Sequence, residues 1–570
     1  MNEKALLLAG VAEKTSAERL EKILAVFGVP SERQTAAEFL AGSGSDQARL
    51  LCTAETFLEI AAVLEKNPDA AKKIHSAFVF AGNDPSALQK LAQAISGDEL
   101  AKLVQTGKGT EWDVTDKLPE FCQSMSGLRV AVQNNGAALV FDGKKSGAEK
   151  IVFTSAGAAF VRFEFYGIPV FLSTAEVIDV TAPLAARDFD IRVHLLSALP
   201  VVLFVKWAFA EICWQPAETC ACLIIDDPLL TPRYGFLDFE KLLGLMERLD
   251  FSTSIAFIPW NCERGSRKTT ELFRNHKNRF SISIHGCDHT GGEYGDRDRD
   301  RLAWKSRQAL QHMARHATRT GLSHDRVMVF PQGVFSEAAM SALKHGGFIG
   351  TVNSEVVSAD PSPCMISVAD YWGVALMNYS DFPIFTRRCP WLGVENFAFD
   401  ILLGKPCLLC THHNDFHDDG RHVEEFMARL VKLNAKLRWT NLAEVARRSF
   451  RQREISADAV AVEMFASEAR VKNNSAQKKT FRICKRESAS EAIQEIRVEN
   501  QPVKWTAQEN QICFETELNP GAQKTIVITF KALAVGNFSG ESLGYRVKAT
   551  VRRHLCEFRD NYVRQKTFSV

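Results

Sequence analysis

The sequence predicts a multi-domain α/β protein with an N-terminal α/β domain, a central α/β domain of the barrel type and a C-terminal antiparallel β-sandwich. Apolar runs alternate with amphipathic helical patterns over 1–125 and over 216–453, which is typical of parallel sheets covered by helices. Short runs of period two, separated by polar turns, fill 454–536 and predict antiparallel strands. A chain of 570 residues has room for about three to four domains of roughly 150 residues each.

The composition is that of a folded protein without a charge bias. Apolar residues make up 46% and charged residues 24% of the chain, which is ordinary for globular domains. Because Lys plus Arg (69) and Asp plus Glu (68) nearly cancel, the net charge gives no argument for a nucleic-acid partner or for an anionic membrane.

The sequence favours a cytoplasmic protein without a transmembrane segment. The N-terminus has a short apolar run with Glu3 in front of it, which is a poor signal peptide. The most apolar stretch, 195–214, contains Pro200, Lys206 and Glu211, so we expect a buried helix rather than a membrane span. The 14 cysteines form no repeating framework, which favours reduced, buried thiols.

The first domain, 1–125, contains three strand–helix pairs and predicts a small parallel sheet of the receiver or flavodoxin kind. Its turns contain neither a GxGxxG nor a P-loop pattern, so the sequence does not favour nucleotide binding. Residues 126–215 turn to short strand-like runs followed by an apolar stretch. We interpret them as a β-rich extension and a connecting helix.

The central domain, 216–453, contains seven candidate strands separated by helical patterns, one fewer than the common eight-stranded barrel. The predicted strands are 221–226, 252–258, 280–285, 326–331, 348–352, 365–369 and 407–412.

The last segment, 537–570, predicts an amphipathic helix. Its apolar face consists of Val547, Val551, Leu555, Phe558 and Tyr562, and its other face of Arg552, Arg553, Arg559 and Arg564. A basic amphipathic helix can lie on a membrane. We expect instead that the apolar face packs against a neighbouring domain and that the charged face is solvated.

Four polar residues follow two predicted strands of the central domain. CLIIDDP ends in Asp226 and Asp227, and SISIHGCDH contains His285 and His289. In a parallel barrel the carboxyl ends of the strands converge at one mouth. Adjacent carboxylates are costly to bury without a cation or a proton, and two histidines four residues apart share one side of a helical turn. The pattern therefore predicts a metal site with an attached base.

The order of the motifs resembles the polysaccharide deacetylase superfamily, the nodulation-protein-like homology domain of carbohydrate esterase family four. The matching features are a strand ending in DD, then HxxxH, then FPQG at 330–333, then LLCTHH at 408–413. The resemblance covers about 220–450. It implies a distorted seven-stranded (β/α) barrel, in agreement with the strand count.

The resemblance also implies residue roles. Asp226 would be the general base, while Asp227, His285 and His289 would hold one divalent metal, with zinc as the expected ion. The ion would polarise an acyl carbonyl and lower the pKa of a bound water. A histidine after the last strand, His412 or His413, would protonate the leaving amine. Because side chains alternate along a strand, only one of these two histidines faces the inside of the barrel, and we favour His412.

Further residues near the predicted mouth are candidates for substrate contacts. Trp260 offers a ring that can stack on a sugar. The other residues assigned to substrate binding are Pro331, Gly333 and Asp288.

Two positions depart from the family pattern. The family has an arginine two residues before the proline of its third motif, where this chain has Val329, and a glycine where this chain has Pro228. The base must then be oriented from elsewhere, and Arg233 is a candidate.

The leading prediction is a metal-dependent hydrolase that removes N-acetyl groups from a polysaccharide or glycan precursor. One alternative is a related metal-dependent amidohydrolase acting on a small non-peptide amide. The other is a catalytically altered protein that binds or assembles glycans. A glycan or N-acetylated sugar is the expected partner, and an oligomer is compatible with the sequence.

Overall fold

A computed structural model describes residues 4–10, 13–42, 47–82, 85–96, 102–106, 110–132, 138–142, 148–184, 187–533, 536, 538 and 540–563. The chain divides into two compact units. Unit 1 comprises Met1–Pro183, Phe189–Trp214 and Ser367–Trp372, and unit 2 comprises Leu184–Asp188, Gln215–Ile366 and Gly373–Val570.

Unit 1 is built on one sheet. Its strands are β1 (Ala5–Leu8), β2 (Ser31–Gln34), β3 (Ala48–Thr53), β4 (Ile74–Phe80), β5 (Lys102–Gln105), β6 (Glu111–Val114), β7 (Arg129–Ala131), β8 (Leu139–Asp142), β9 (Glu149–Phe153), β10 (Ala158–Phe165) and β11 (Ile168–Ser173). The main strand order is β2-β1-β3-β4-β11-β10-β9-β6-β7, and β5 and β8 pair with each other beside β10. β11 pairs with β4 in parallel and with β10 in antiparallel orientation. The predicted α/β domain and its β-rich extension thus share a sheet.

The helices of unit 1 up to residue 214 are α1 (Lys14–Val26), α2 (Ala36–Ala41), α3 (Ala54–Lys66), α4 (Pro85–Ser96), α5 (Pro119–Cys122) and α6 (Ile191–Ala208). By length and composition α6 could cross a membrane, but two thirds of its apolar window (67%) is buried inside the protein. Pro200 lies inside this helix. The burial is that expected of a core helix.

The barrel-like part of unit 2 is a mostly parallel sheet. The strands from 215 to 439 are β12 (Gln215–Pro216), β13 (Thr219–Asp226), β14 (Arg233–Tyr234), β15 (Leu237–Asp238), β16 (Thr253–Phe257), β17 (Phe280–His285), β18 (Val327–Val329), β19 (Gly350–Asn353), β20 (Ile384–Thr386), β21 (Cys407–His412) and β22 (Leu437–Trp439). Of these, β12 pairs with a strand of the C-terminal part and lies outside this sheet. The parallel order is β20-β19-β18-β17-β16-β13-β21, β22 pairs with β13, and β14 and β15 form a separate hairpin. A parallel bridge between Arg388 and Leu409 links the segment after β20 to β21. The strands therefore form a curved, barrel-like sheet.

One predicted strand is wrong. Residues 365–369 are not a strand of this sheet, because the segment Ser367–Trp372 belongs to unit 1 and Val368–Trp372 is helical. The corresponding place in the sheet is taken by β20, which is paired in parallel with β19. The other six predicted strands overlap with strands of this sheet.

The remaining helices are α7 (Phe239–Leu249), α8 (Arg267–Asn275), α9 (Arg299–Thr320), α10 (Glu337–His345), α11 (Val368–Trp372, in unit 1), α12 (Val394–Leu403), α13 (Arg421–Leu430), α14 (Leu442–Arg448) and α15 (Leu543–Tyr562). Several of them start at a side-chain cap, as the sequence around them favours. Asp238 accepts backbone N–H bonds at the start of α7, Ser266 at α8 and Asp298 at α9.

The C-terminal part of unit 2 contains two sheets. Their strands are β23 (Arg451–Ser456), β24 (Ala459–Met464), β25 (Glu468–Lys472), β26 (Lys479–Arg486), β27 (Ile493–Val498), β28 (Gln501–Pro502), β29 (Thr506–Gln508), β30 (Gln511–Leu518) and β31 (Gln523–Phe530). The sheet orders are β12-β23-β24-β26-β30-β29 and β25-β31-β27-β28, and one apolar cluster contains residues of both. Because β24 and β26 are parallel, the expectation of a purely antiparallel arrangement is wrong at this pair.

A disulfide joins the two long strands of the larger sheet. Cys484 on β26 and Cys513 on β30 lie directly opposite each other and are bonded. The expectation of reduced thiols is therefore wrong for this pair, because the strand register brings two cysteines to one position of the ladder. The other cysteines of the described chain are not in disulfide bonds.

Candidate metal centre

Three side chains converge at the carboxyl ends of β13 and β17. Asp227 follows β13 directly, His285 is the last residue of β17, and His289 lies in the turn after β17. The Nε2 atoms of His285 and His289 lie 3.3 and 3.1 Å from the same oxygen of Asp227, Oδ1. The structure thus brings the three sequence-predicted ligands together.

The two histidines meet through a tight turn, not through a helix. Residues 286–289 contain no helical turn, and φ is positive at Gly286 (67°) and at His289 (55°). A Cβ atom at Gly286 would lie 2.0 Å from Oε1 of Glu293 and 2.5 Å from Cγ of Pro331. The two histidines therefore do not share a helical turn, and a glycine at 286 is what lets the chain turn this closely.

Glu293 stabilises this turn through hydrogen bonds to its backbone. Its carboxylate accepts the backbone N–H groups of Cys287, Asp288 and His289 at 3.0 to 3.2 Å. Burial raises the pKa of Glu293 to about 7, and Asp288 adds to this rise. The role of Glu293 in binding three backbone groups depends on a turn geometry that the sequence pattern does not contain.

The backbone carbonyl of Val329 orients the first histidine. Nδ1 of His285 lies 2.9 Å from this oxygen, so Nδ1–H donates and Nε2 is directed at Asp227. His285 is 1% exposed. A histidine that donates its second ring N–H to a carbonyl is in the tautomer that ligates a metal through Nε2.

Electrostatics favour the metal-binding forms of Asp227 and His289. Burial alone would raise the pKa of Asp227, but the two imidazoles outweigh it and hold this pKa below its usual range. Burial dominates at His289 and lowers its pKa to about 4, which keeps the imidazole neutral at neutral pH. An ionised carboxylate and a neutral imidazole are the ligand forms of these residues.

The donor set fits a divalent ion. The ligand atoms of Asp227, His285 and His289 all lie within 4.8 Å of one another. The Oδ1 atom of Asp227 is buried and has no hydrogen bond of acceptable geometry from the described residues, although two imidazole nitrogens are close to it. A cation bound between the three groups would satisfy that oxygen, and two nitrogens with one carboxylate leave positions open for water and substrate.

Asp226 is held by Arg387. Nη1 and Nη2 of Arg387 donate to the two oxygens of the carboxylate, each at 2.7 Å, and both side chains are buried. Burial would raise the pKa of Asp226, but Arg387 and then His285 lower it below its usual value. The expected orienting residue, Arg233, is exposed on the β14–β15 hairpin and donates to the carbonyl of Gly235. The prediction of Arg233 is therefore wrong, because the buried guanidinium belongs to the residue that directly follows β20, the strand that the sequence interpretation missed.

The two candidate proton donors have different surroundings. Nε2 of His412 lies 3.9 Å from Oδ2 of Asp226, and its side chain is 46% exposed. His413 is buried, with its ring 5.4 Å from that of Tyr234 and its Nε2 3.8 Å from the carboxylate of Asp560. His412 is thus the member of the pair beside the carboxylates.

Asp288 is not placed to bind a substrate. Its side chain is buried, and its carboxylate contacts Nζ of Lys305 at 2.7 Å and accepts the hydroxyl of Thr290 at 2.6 Å. Lys305 and Thr290 lower the pKa of Asp288 to about 2 against the effect of burial. The substrate role predicted for Asp288 is wrong, because its position in the turn directs it into the protein.

The other predicted substrate contacts lie around the same mouth. Trp260, after β16, is partly buried and donates its indole N–H to Oγ1 of Thr550 on α15 at 3.1 Å. Pro331 packs under the turn at Gly286, and the carbonyl of Gly333 accepts an N–H bond from Asn353 at 2.8 Å. Their contacts with sugar stay predictions.

A second group of possible ligands, His417, Asp418 and His422, lies after β21. Asp418 and His422 are exposed, and no strand end other than that of β21 contributes to the group. It differs from the first group in its greater exposure.

Comparison with known proteins finds likeness in structure only. No protein-family model matches the chain, and no curated protein matches it. Similar solved structures include a family 4 carbohydrate esterase from Streptomyces lividans in complex with acetate (TM-score 0.24, 9% identity, 39% of this chain and 92% of that chain). Another is a family 4 carbohydrate esterase from Bacillus anthracis (TM-score 0.25, 11% identity, 40% of this chain and 82% of that chain). A third is a CE4 family pseudoenzyme from the same organism (TM-score 0.26, 11% identity, 39% of this chain and 64% of that chain).

These likenesses confirm the predicted resemblance in its partial form: the chain is similar to polysaccharide deacetylases of carbohydrate esterase family four over about 40% of its length. At identities of 9% to 11% and TM-scores below 0.3 they carry no argument about what this chain does. Three of the similar structures are of a protein described as a CE4 family pseudoenzyme, and one of these three is a mutant with restored enzymatic activity.

Proposed function

We propose that unit 2 is a metal-dependent hydrolase that removes N-acetyl groups from a polysaccharide or a glycan precursor. The observation that supports this is the convergence of Asp227, His285 and His289 directly beside Asp226, a buried carboxylate held by Arg387. A three-ligand set with an adjacent base is the arrangement that metal-assisted amide hydrolysis needs.

Each residue has a role in the proposal. Asp227, His285 and His289 hold one divalent ion, with zinc as the expected metal. When bound, such an ion polarises the acyl carbonyl and lowers the pKa of the attacking water. Asp226 accepts the proton of that water, since its lowered pKa keeps it ionised. His412, whose Nε2 lies 3.9 Å from Oδ2 of Asp226, then gives a proton to the leaving amine.

One observation favours the second candidate, an amidohydrolase acting on a small non-peptide amide. Helix α15 lies against the loops at the mouth and binds the indole of Trp260, the residue expected to stack on a sugar. A mouth bordered in this way offers less room for a long polymer. The assay must therefore include both long and short substrates.

The experiment has a metal arm and a turnover arm. We expect one tightly bound divalent ion per chain by elemental analysis of the purified protein, and a loss of that ion in Asp227→Ala and His289→Ala. His422→Ala, in the exposed second group, is the matched control and should keep the ion. Acetate release is then measured over N-acetylated oligosaccharides of increasing length and over N-acetylated monosaccharides.

The outcomes separate the candidates. Acetate release that grows with chain length and is lost in Asp226→Asn supports the deacetylase. Release from monosaccharides or other small amides alone supports the second candidate. A protein without a bound ion, whose metal content is the same in Asp227→Ala, contradicts both. Metal without release from any substrate leaves the altered, glycan-binding protein as the better hypothesis.

A further inference from the structure

Helix α15 attaches to the barrel-like sheet by its polar face. The hydroxyl of Tyr545 lies 2.6 Å from that of Thr290 and accepts a hydrogen bond from Nζ of Lys305 at 3.0 Å. The hydroxyl of Tyr234 donates to the carboxylate of Asp560 at 2.8 Å. Further along the helix, four more residues contact the rest of unit 2. The pairs are Thr550–Trp260, Arg553–His289, Glu557–Arg264 and Asn561–Gly235. Among these partners, Trp260, Arg264, His289 and Thr290 lie in the loops after β16 and β17, Lys305 lies on α9, and Tyr234 and Gly235 lie in the β14–β15 hairpin after β13.

The opposite face of α15 is apolar and open. Its residues are Leu543, Val547, Val551, Leu555, Phe558 and Tyr562, which repeat every three or four positions and so form one stripe. These six side chains are 50% to 76% exposed, and all six are among the large apolar side chains that the described chain leaves exposed. The sequence-based expectation that this face packs on a neighbouring domain is wrong, because the polar face makes the contacts instead.

The charges around this stripe have one sign. The acids of the helix, Glu557 and Asp560, are turned to the protein and are paired with Arg264 and with Tyr234. Lys548 and Arg552 border the stripe, one turn apart, and no acid lies on the outward side of the described helix. An exposed apolar stripe with a basic border matches the two properties of an anionic lipid surface: an apolar interior and a negative headgroup layer.

A second copy of the chain fits this surface less well. In an antiparallel pair of such helices the same border of each helix meets its counterpart, so Lys548 and Arg552 would face like charges without an acid to pair with. Charge complementarity therefore favours lipid over a symmetric dimer.

We propose that α15 is a peripheral membrane-docking helix, whose apolar stripe inserts into the headgroup region of an anionic bilayer while its polar face stays on the protein. Because the helix lies on the loops at the carboxyl ends of β13, β16 and β17, the docked surface is on the same end of the sheet as Asp227, His285 and His289. The mouth then opens beside the lipid surface. This proposal does not rest on the proposed hydrolysis.

The test is co-sedimentation of the full-length protein with vesicles of phosphatidylcholine and with vesicles of equimolar phosphatidylcholine and phosphatidylglycerol. We expect binding to the anionic vesicles, weakened by added salt, and little binding to phosphatidylcholine alone. Leu555→Gln/Phe558→Gln should lower the partition coefficient about tenfold or more, because two exposed side chains lose their apolar insertion. Lys548→Gln should lower it about fivefold through the loss of one charge near the surface.

The matched control is Met365→Gln/Trp391→Gln, which removes two equally exposed apolar side chains elsewhere in unit 2 and should bind like the wild type. Asp227→Ala should also bind like the wild type, so that loss of the metal centre and loss of docking are separate results. Absence of binding by the wild type, equal binding to both kinds of vesicle, or equal loss in the control overturns the proposal. A dimer seen by analytical ultracentrifugation and dispersed by Leu555→Gln/Phe558→Gln, without vesicle binding, assigns the stripe to a second copy and overturns it as well.

Discussion

Arg387 donates two parallel hydrogen bonds of 2.7 Å to the carboxylate of Asp226, and both residues are buried at the end of the barrel-like sheet. A guanidinium in this geometry makes a carboxylate rigid as well as ionised. The pair therefore supplies the orientation that the sequence expected from an arginine at the position of Val329.

Removing the guanidinium should destabilise unit 2 strongly. Arg387→Met leaves a buried carboxylate without its partner, so we expect the free energy of unfolding to fall by about 3–5 kcal/mol. Because the pKa of Asp226 is lowered in the folded protein, this contribution is present above the unfolded pKa of about 3.9 and is lost as the pH falls through the folded value. Urea unfolding at neutral pH measures it.

Arg233→Met is the matched control for this experiment, since Arg233 is exposed and was the arginine indicated by the sequence. It should change the free energy of unfolding by less than about 0.5 kcal/mol. Equal losses in the two variants would show that the Arg387–Asp226 pair contributes nothing specific.

The two adjacent histidines after β21 should separate activity from stability. His412→Asn should lower kcat by roughly 10²- to 10⁴-fold with unchanged metal content and unchanged stability, because the side chain is half exposed and would act only as a proton donor. His413→Asn should leave kcat within severalfold and lower the free energy of unfolding by about 1–3 kcal/mol, because it alters a buried contact with Asp560. The reverse pattern would assign the donor role to His413.

A buried histidine on α9 should make unit 2 sensitive to acid. His316 is 1% exposed, its ring lies 5.0 Å from that of Phe257, and burial, with smaller effects of Arg319 and His324, lowers its pKa to about 4. The unfolded chain, with a pKa of about 6.5, binds a proton that the folded chain excludes, so stability falls as the pH drops from about 6.5 to 4.

In His316→Phe this contribution is absent, and about 2–3 kcal/mol of the stability change across that window should disappear. The urea midpoint measured as a function of pH gives the value. His422→Gln, which replaces an exposed histidine, should keep the wild-type slope. An unchanged slope in His316→Phe would contradict the assignment.

The disulfide between β26 and β30 should contribute to the stability of the C-terminal sheets. With a sequence separation of 29 residues, replacing Cys484 and Cys513 together by serine should lower the free energy of unfolding by about 3–4 kcal/mol. Treatment of the wild type with dithiothreitol should give the same loss, and the double variant should not respond to it. A wild type that is indifferent to the reductant would show that the bond does not form in solution.

The parts of the site that lie on long apolar strands could be predicted from the sequence. Asp226 ends the eight-residue strand β13, Asp227 follows it, and His285 ends β17, so periodicity and the convergence of parallel strands were sufficient to bring them together. The ligand set depends only on these elements and on the turn after β17.

Arg387 could not be found in this way. It follows β20, a strand of three residues, which is too short to show a period. Residues 365–369 show a strand pattern, but only Ser367 forms a β-bridge, with Pro183 in unit 1, and Val368–Trp372 is helical. The apolar run before two consecutive arginines, at 383–388, was the available signal. For α15 the sequence showed two faces correctly, but amphipathicity does not say which face is covered.

The carbonyl of Val329, which accepts the N–H of His285, belongs to the backbone, and its position is set by the pairing of β17 with β18. The bond is thus independent of the side chain at 329. Any residue that keeps the strand register preserves the tautomer of the histidine, so a substitution at 329 that keeps this register does not disturb the imidazole. A departure from a family motif at such a position is neutral for this contact, and it says nothing by itself about whether the site has decayed.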